Sequence, residues 1–361
     1  MARLLELGLI IAIAGCAVAG PGPATAGPPD TSAARMPAPE WKRIRYGNPR
    51  ALELRSQVGL VVDEREGVIL YGRDTDKPRP IASLTKLLTI MTLLDAKLSL
   101  GKVIEITEED RDRLKGSRSS LRFGTTLTRG ELIRIALIAS DNRATAALAR
   151  TYPGGSAALL RVMNEKAGML GLTQTRAADA SGLRPDNIST ARDLARLAYI
   201  ASSYPLITNW STTKRFSVTD RKSGKALNFR NTNSLVHRER WNIALSKTGF
   251  TLEAGNCLLM RTTIADRPLI VVLLNSWGKL SKYGDSGRIR DWLIASERAA
   301  RNVAQRAAAD ATPQETPLQM TATRGYTIVQ PPQTTAVSAQ RSKASVKKEA
   351  FPRRSDRSGI L

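Results

Sequence analysis

Ser83-Leu84-Thr85-Lys86-Leu87-Leu88-Thr89-Ile90-Met91-Thr92-Leu93-Leu94 is an apolar run that opens on a serine and a lysine three residues apart. Leu84, Leu87, Leu88 and Met91 recur at i, i+3, i+4 and i+7, which predicts a helix from about Ser83 to Leu94. Ser83 then stands at the helix start, where unpaired backbone N–H groups and the positive dipole end favour developing negative charge. Lys86 lies one turn on along the same face, within reach of the Ser83 hydroxyl. A lysine whose pKa is lowered by burial and a nearby cation can take that proton. Alone the pattern is weak. Ser-x-x-Lys recurs at Ser99, Ser211, Ser276 and Ser345, and a serine at a helix start is often only an N-cap.

On the N-terminal side of this helix, Val58-Gly59-Leu60-Val61-Val62 and Val68-Ile69-Leu70-Tyr71 flank a polar turn and read as a hairpin. On its C-terminal side Thr128 and Glu131 form a capping box for a helix through about Ala139. Residues 163–170 and 191–201 also read as helices. Residues 241–247, 256–263 and 269–275 read as three strands, and 288–299 as a closing helix. Strands from both ends of the sequence enclosing a helical middle predict an α+β fold. Its core is one antiparallel sheet of about five strands packed by helices, with a mostly helical insert.

Two further words follow in order. Ser140-Asp141-Asn142 lies between one helix and another Ala-rich one, at a break where side chains can point into a cleft. Ser140 can relay a proton between Lys86, Lys247 and a leaving amine, and Asn142 can donate to an amide carbonyl. Ordinary turn and capping chemistry uses the same residue types. Lys247-Thr248-Gly249 ends a strand, and Gly249 leaves room for a substrate backbone alongside. Lys247 shares strand parity with Ile243 and Leu245, expected to face inward, which makes it the candidate cation beside Lys86. The rival Lys222-Ser223-Gly224 falls between two strand-like segments and reads as a hairpin turn.

Together the three words resemble the penicillin-recognising serine enzymes. The likeness extends to Arg79-Pro80-Ile81-Ala82, Tyr152-Pro153-Gly154-Gly155, Ser189-Thr190-Ala191-Arg192-Asp193-Leu194, Phe229-Arg230-Asn231-Thr232-Asn233 and Lys247-Thr248-Gly249-Phe250-Thr251. Over about residues 53–297 these look like the penicillin-binding protein 7 branch of serine peptidase family S11, which contains D-alanyl-D-alanine endopeptidases. The resemblance implies the β-lactamase/transpeptidase fold, peptidoglycan stem peptides as substrate, β-lactams as inhibitors and no cofactor. Carried over by motif, Ser83 is nucleophile, Lys86 general base, and Ser140 with Asn142 the second catalytic element. Lys247, Thr248, Gly249 and Phe250 form the substrate-binding strand, and the backbone N–H groups of Ser83 and Phe250 the oxyanion hole.

Three alternatives share parts of this pattern. A D-alanyl-D-alanine carboxypeptidase passes through the same acyl-enzyme. A class A β-lactamase needs a glutamate in a Glu-x-x-Leu-Asn word, and Asp179-Ala180-Ser181-Gly182-Leu183-Arg184-Pro185-Asp186-Asn187 offers none. A catalytically silent wall-binding module would not need an intact Ser83–Lys86 pair.

The 361 residues carry 55 Lys+Arg against 32 Asp+Glu, a net charge of +23 that calls for an anionic partner. An anionic wall polymer or membrane surface fits. Nucleic acid does not, for want of finger spacing, an aromatic–basic RNA motif or heptads. Residues 1–26 read as an export signal, with Arg3, an apolar stretch from Leu7 to Val18 and small-residue cleavage sites, which implies the periplasm. Ile13-Ala14-Gly15-Cys16 also fits a lipoprotein signal acylated at Cys16, and both forms of processing stay open.

Cys257 is the only other cysteine, reads as a small core residue, and leaves no internal disulfide. One histidine and two cysteines argue against a zinc site. Gly284-Asp285-Ser286-Gly287 with the lone His237 is a poor Ser–His–Asp triad. Residues 27–52 read as a flexible leader, 53–298 as the folded domain and 299–361 as a disordered basic tail. From residue 300 that tail holds ten Lys+Arg against four acids, and it is expected to attract an anionic wall or membrane surface.

Overall fold

The computed structural model describes residues 40–310. The export signal, Cys16, the first half of the leader and the tail from residue 311 lie outside the described residues.

Six strands form the main sheet: β1 (Lys42–Arg43), β2 (Ser56–Asp63), β3 (Val68–Arg73), β4 (Asn242–Thr251), β5 (Gly255–Ile264) and β6 (Arg267–Ser276). Their spatial order is β1-β3-β2-β6-β5-β4. The five longer strands pair antiparallel, and the two ends of the chain meet at the centre through Val61↔Val271. Short β1 adds a parallel edge on β3. The stretch expected as leader therefore joins the fold from Trp41, which is buried together with Leu52.

Among the described residues seven α-helices accompany the sheet: α1 (Thr85–Asp95), α2 (Arg129–Ile138), α3 (Asn142–Arg150), α4 (Gly155–Met169), α5 (Ala191–Ala201), α6 (Pro205–Ser211) and α7 (Ser281–Asp310). One sheet face, with Val58, Leu60, Val62, Leu259 and Val272, packs in the same core as α1 to α5. The other face, with Val61, Leu258, Met260, Val271 and Leu273, packs on Ile289, Trp292 and Leu293 of α7. Burial on both faces explains why these strands read as continuous apolar runs instead of alternating ones. Helix α1 is buried on nearly every side, from Thr85 through Leu93.

Two expectations need correction. The closing helix starts earlier than predicted and continues to Asp310, into the stretch expected to be disordered. Its first turns hold Gly284, Ser286 and Gly287, weak helix formers that hid the start. In β4 a bulge falls between Ile243 and Leu245. It turns Ile243 to the α7 side while Leu245 faces the helical core, so the shared parity breaks there. Lys222-Ser223-Gly224 forms the turn of the hairpin Arg215–Thr219/Ala226–Arg230.

Candidate active site

Ala82–Leu84 make a 3-10 turn that runs straight into α1 and carries Ser83 at its middle. Ala82 sits at φ +48°, a left-handed conformation that a non-glycine residue adopts only when its surroundings enforce it. Two glycines enclose this turn. A Cβ on Gly182 would lie 1.9 Å from Ala82 O and 2.9 Å from Ser83 N. On the other side a Cβ on Gly249 would lie 3.0 Å from Ile81 O and 3.2 Å from Ser83 N. Gly249 was expected to make room for substrate, but its first use is to let β4 approach the Ser83 turn.

Lys86 is fully buried. Its Nζ lies 3.0 Å from Ser83 Oγ, donates to Asn142 Oδ1 at 2.6 Å and donates to Ser181 O at 2.7 Å. None of these partners is charged. Burial lowers its pKa to about 7, against smaller opposing pulls from Asp179, Asp141 and Asp112.

The second word occupies the break between α2 and α3. Ser140 has φ +57°, Asp141 caps α3 by accepting from Ala144 N at 2.9 Å, and Asn142 begins that helix. Lys247 Nζ donates to Ser140 Oγ at 2.8 Å and to Thr248 O at 2.9 Å. Burial pushes the Lys247 pKa well down, and the cations Lys86 and Lys282 push it further. The lowering at Lys86 thus comes from burial, and the cation repulsion expected there falls on Lys247 instead. The polar contacts also divide in two: Ser140 bonds Lys247, whereas Lys86 bonds Ser83 and Asn142.

Ser83, Ser140, Asn142, Thr248, Gly249 and Phe250 line one cleft of about 910 Å³, with Lys86 and Lys247 buried beneath them. Thr248 Oγ1 donates to Thr232 Oγ1 at 2.7 Å along one wall. Trp277 and Lys282 also line this cleft. Phe250 projects its ring into solvent at the rim.

The sequence reading missed three contributors. Ser117 accepts from Asn142 Nδ2 at 2.8 Å, Ser181 supplies the carbonyl on Lys86, and Gly182 packs on the nucleophile turn. The segment 179–187 lacks the glutamate of a class A β-lactamase but has another use. Asp179 there accepts from the N–H groups of Ser181 (2.6 Å), Gly182 (2.7 Å) and Arg184 (2.7 Å), which shapes the loop against Lys86.

Asp285 accepts from Arg55 N and Ser56 N at 2.9 and 2.7 Å, and Ser286 donates to Lys282 O at 2.8 Å, so that segment is structural. Cys257 is buried, and burial pushes its thiol up to about 11.

Residues 46–278, more than half of the chain, match the family model described as D-alanyl-D-alanine carboxypeptidase. A D-alanyl-D-alanine endopeptidase of Pseudomonas aeruginosa is 44% identical over 256 residues, covering 71% of this chain and 83% of that one. A D-alanyl-D-alanine endopeptidase of Escherichia coli is 41% identical over 241 residues, covering 67% and 78%. Among solved structures, a mutant of the Streptomyces K15 DD-transpeptidase superposes with a TM-score of 0.63 at 26% identity, covering 67% of this chain and 99% of that one. By family model, sequence identity and fold, this chain is a serine hydrolase that belongs to peptidase family S11, the D-alanyl-D-alanine carboxypeptidase family.

Proposed function

We propose that the chain is an exported serine D-alanyl-D-alanine endopeptidase that opens peptidoglycan cross-links through an acyl-enzyme on Ser83. The surroundings of Lys86 carry this reading. A neutral amine has two N–H bonds and one lone pair. Asn142 Oδ1 and Ser181 O take the two N–H bonds, which leaves the lone pair for the Ser83 hydroxyl. With its pKa near 7, Lys86 is neutral in an appreciable fraction of molecules at neutral pH and can act as general base.

Ser83 Oγ then attacks the D-alanyl carbonyl while its proton passes to Lys86. The oxyanion takes hydrogen bonds from the Ser83 and Phe250 N–H groups. Ser140, held by Lys247, relays that proton from Lys86 to the departing amine, and Lys86, neutral again, takes a proton from the water that cleaves the ester. Thr248 and Gly249 hold the substrate backbone along the exposed edge of β4. Both relatives named above are endopeptidases, which favours cleavage of cross-links over removal of terminal D-alanine. The net charge of +23 suits a polymer rich in carboxylates. Residues 1–26 direct the chain to the periplasm, by signal cleavage or by lipid attachment at Cys16, and the basic segment from residue 311 adds attraction to an anionic surface.

Intact-mass measurement tests the nucleophile: penicillin adds one acyl group to the native chain and none to Ser83→Ala. Equal labelling of both would overturn it. Digestion of purified sacculi tests the substrate: loss of cross-linked dimers is expected. Release of free D-alanine with dimers intact would make the enzyme a carboxypeptidase instead.

A further inference from the structure

The loop that carries Ser117 is anchored on Asp112. Asp112 Oδ1 accepts from the N–H groups of Leu114 (2.9 Å) and Lys115 (3.0 Å), and Oδ2 accepts from Ser117 N at 3.0 Å. Burial pushes the Asp112 carboxyl up, but bonds from the Ser117 hydroxyl and these N–H groups outweigh it and hold the carboxyl below its ordinary value.

Ser117 is thereby fixed with its hydroxyl beside Asn142, whose Nδ2 donates to Ser117 Oγ at 2.8 Å. The other end of the same carboxamide, Oδ1, then faces Lys86, at 2.6 Å. Reversal would bring the amide N–H groups against Lys86. Those N–H groups would claim the lone pair that Ser83 needs.

We propose that Asp112 and Ser117 are positioning residues for the base: they lock the Asn142 carboxamide with its oxygen toward Lys86. The inference rests on the assignment of Ser83 and Lys86 above. Neither residue touches the reacting atoms. Their positioning effect passes through Asn142, and the Asp112 charge adds a separate pull on Lys86.

The test is the rate of acylation by penicillin, read as mass gained per folded chain over time. Ser117→Ala should slow acylation about tenfold, the scale of one lost hydrogen bond at the base. Ser117→Thr returns a hydroxyl and should restore most of the rate. In an Asn142→Asp background both side-chain oxygens accept, so no wrong orientation exists. Ser117→Ala should then change the rate less than about twofold, measured at a pH high enough to keep Lys86 neutral. Asp112→Asn keeps an acceptor for Ser117 but removes a charge that raises Lys86. Its acid limb should therefore move to lower pH with little loss at the plateau.

A native acylation rate in Ser117→Ala overturns the proposal. So does an equal slowing in both Asn142 and Asn142→Asp backgrounds, which marks Ser117 as merely structural. Continued labelling of Ser83→Ala would instead overturn the nucleophile assignment, so the two failures are distinguishable.

Discussion

Two lysines are buried at opposite ends of α1, and their partners give them opposite uses. At the N-terminal end Lys86 meets only neutral oxygens, from Ser83, Asn142 and Ser181. At the C-terminal end Lys166 of α4 forms a buried ion pair with Asp95, whose other oxygen accepts from Tyr204 Oη at 2.8 Å. Neutral acceptors orient an amine without balancing a charge, so burial moves Lys86 toward its neutral form. A carboxylate balances the charge and makes the pair a cross-link between α1 and α4. With residue type and burial alike, the partner decides between base and tie.

The largest expected effect breaks the first member of the pair. Lys86→Ala should lower the rate of penicillin acylation about 10³-fold or more, and Lys86→Arg equally, because a guanidinium stays protonated. Both variants should keep a cooperative thermal transition. An active Lys86→Arg protein would end the assignment of Lys86 as base.

Breaking the second member should act on stability instead. Asp95→Ala leaves the Lys166 charge buried without its partner and should cost about 3–5 kcal/mol of unfolding free energy. Chains that remain folded should acylate at the native rate. Denaturant titration checks the first outcome and mass labelling the second, and a loss of rate in folded chains would mean the two ends of α1 are coupled.

A third change gives Lys86 the kind of partner that Lys166 has. In the native chain the acylation rate should rise with pH through about 7 as Lys86 loses its proton. Asn142→Asp places a carboxylate against Lys86, favours the ammonium, and should move that limb upward by about 1–3 pH units. Activity lost at neutral pH should return in alkali. A rate that stays low at every pH would show that the amide itself is required.

The smallest effect is expected at the surface. Lys115 pairs with Glu253 in the turn after β4, with both side chains about a third exposed. Lys115→Ala should change stability by about 0.2–1 kcal/mol and vanish into noise at high salt. A larger loss would mark that contact as part of the fold's core.

Legibility in the sequence followed locality. The Ser83–Lys86 contact is a one-turn helical spacing, and the Thr128–Glu131 capping box is likewise local and present. Both could be read without knowing the rest of the chain. Ile243 was misread because a bulge breaks the two-residue period that parity arguments assume. Ser117 and Gly182 carried no readable signal. Ser117 lies in a serine- and arginine-rich loop that looks like solvated surface, and Gly182 looks like any turn glycine.

The sequence by itself determined the main sheet and helix pattern, the three motifs that line the cleft, and the apolar character of α1, since apolar periodicity and short-range spacing are properties of the chain alone. Tertiary structure decided what those residues can do. It brings Ser181 O to Lys86 from 95 positions away and Asn142 from 56, and it seats Gly182 against Ala82. A lysine's basicity depends on the dielectric and the partners around its amine, and those are set by packing between segments that share no sequence neighbourhood.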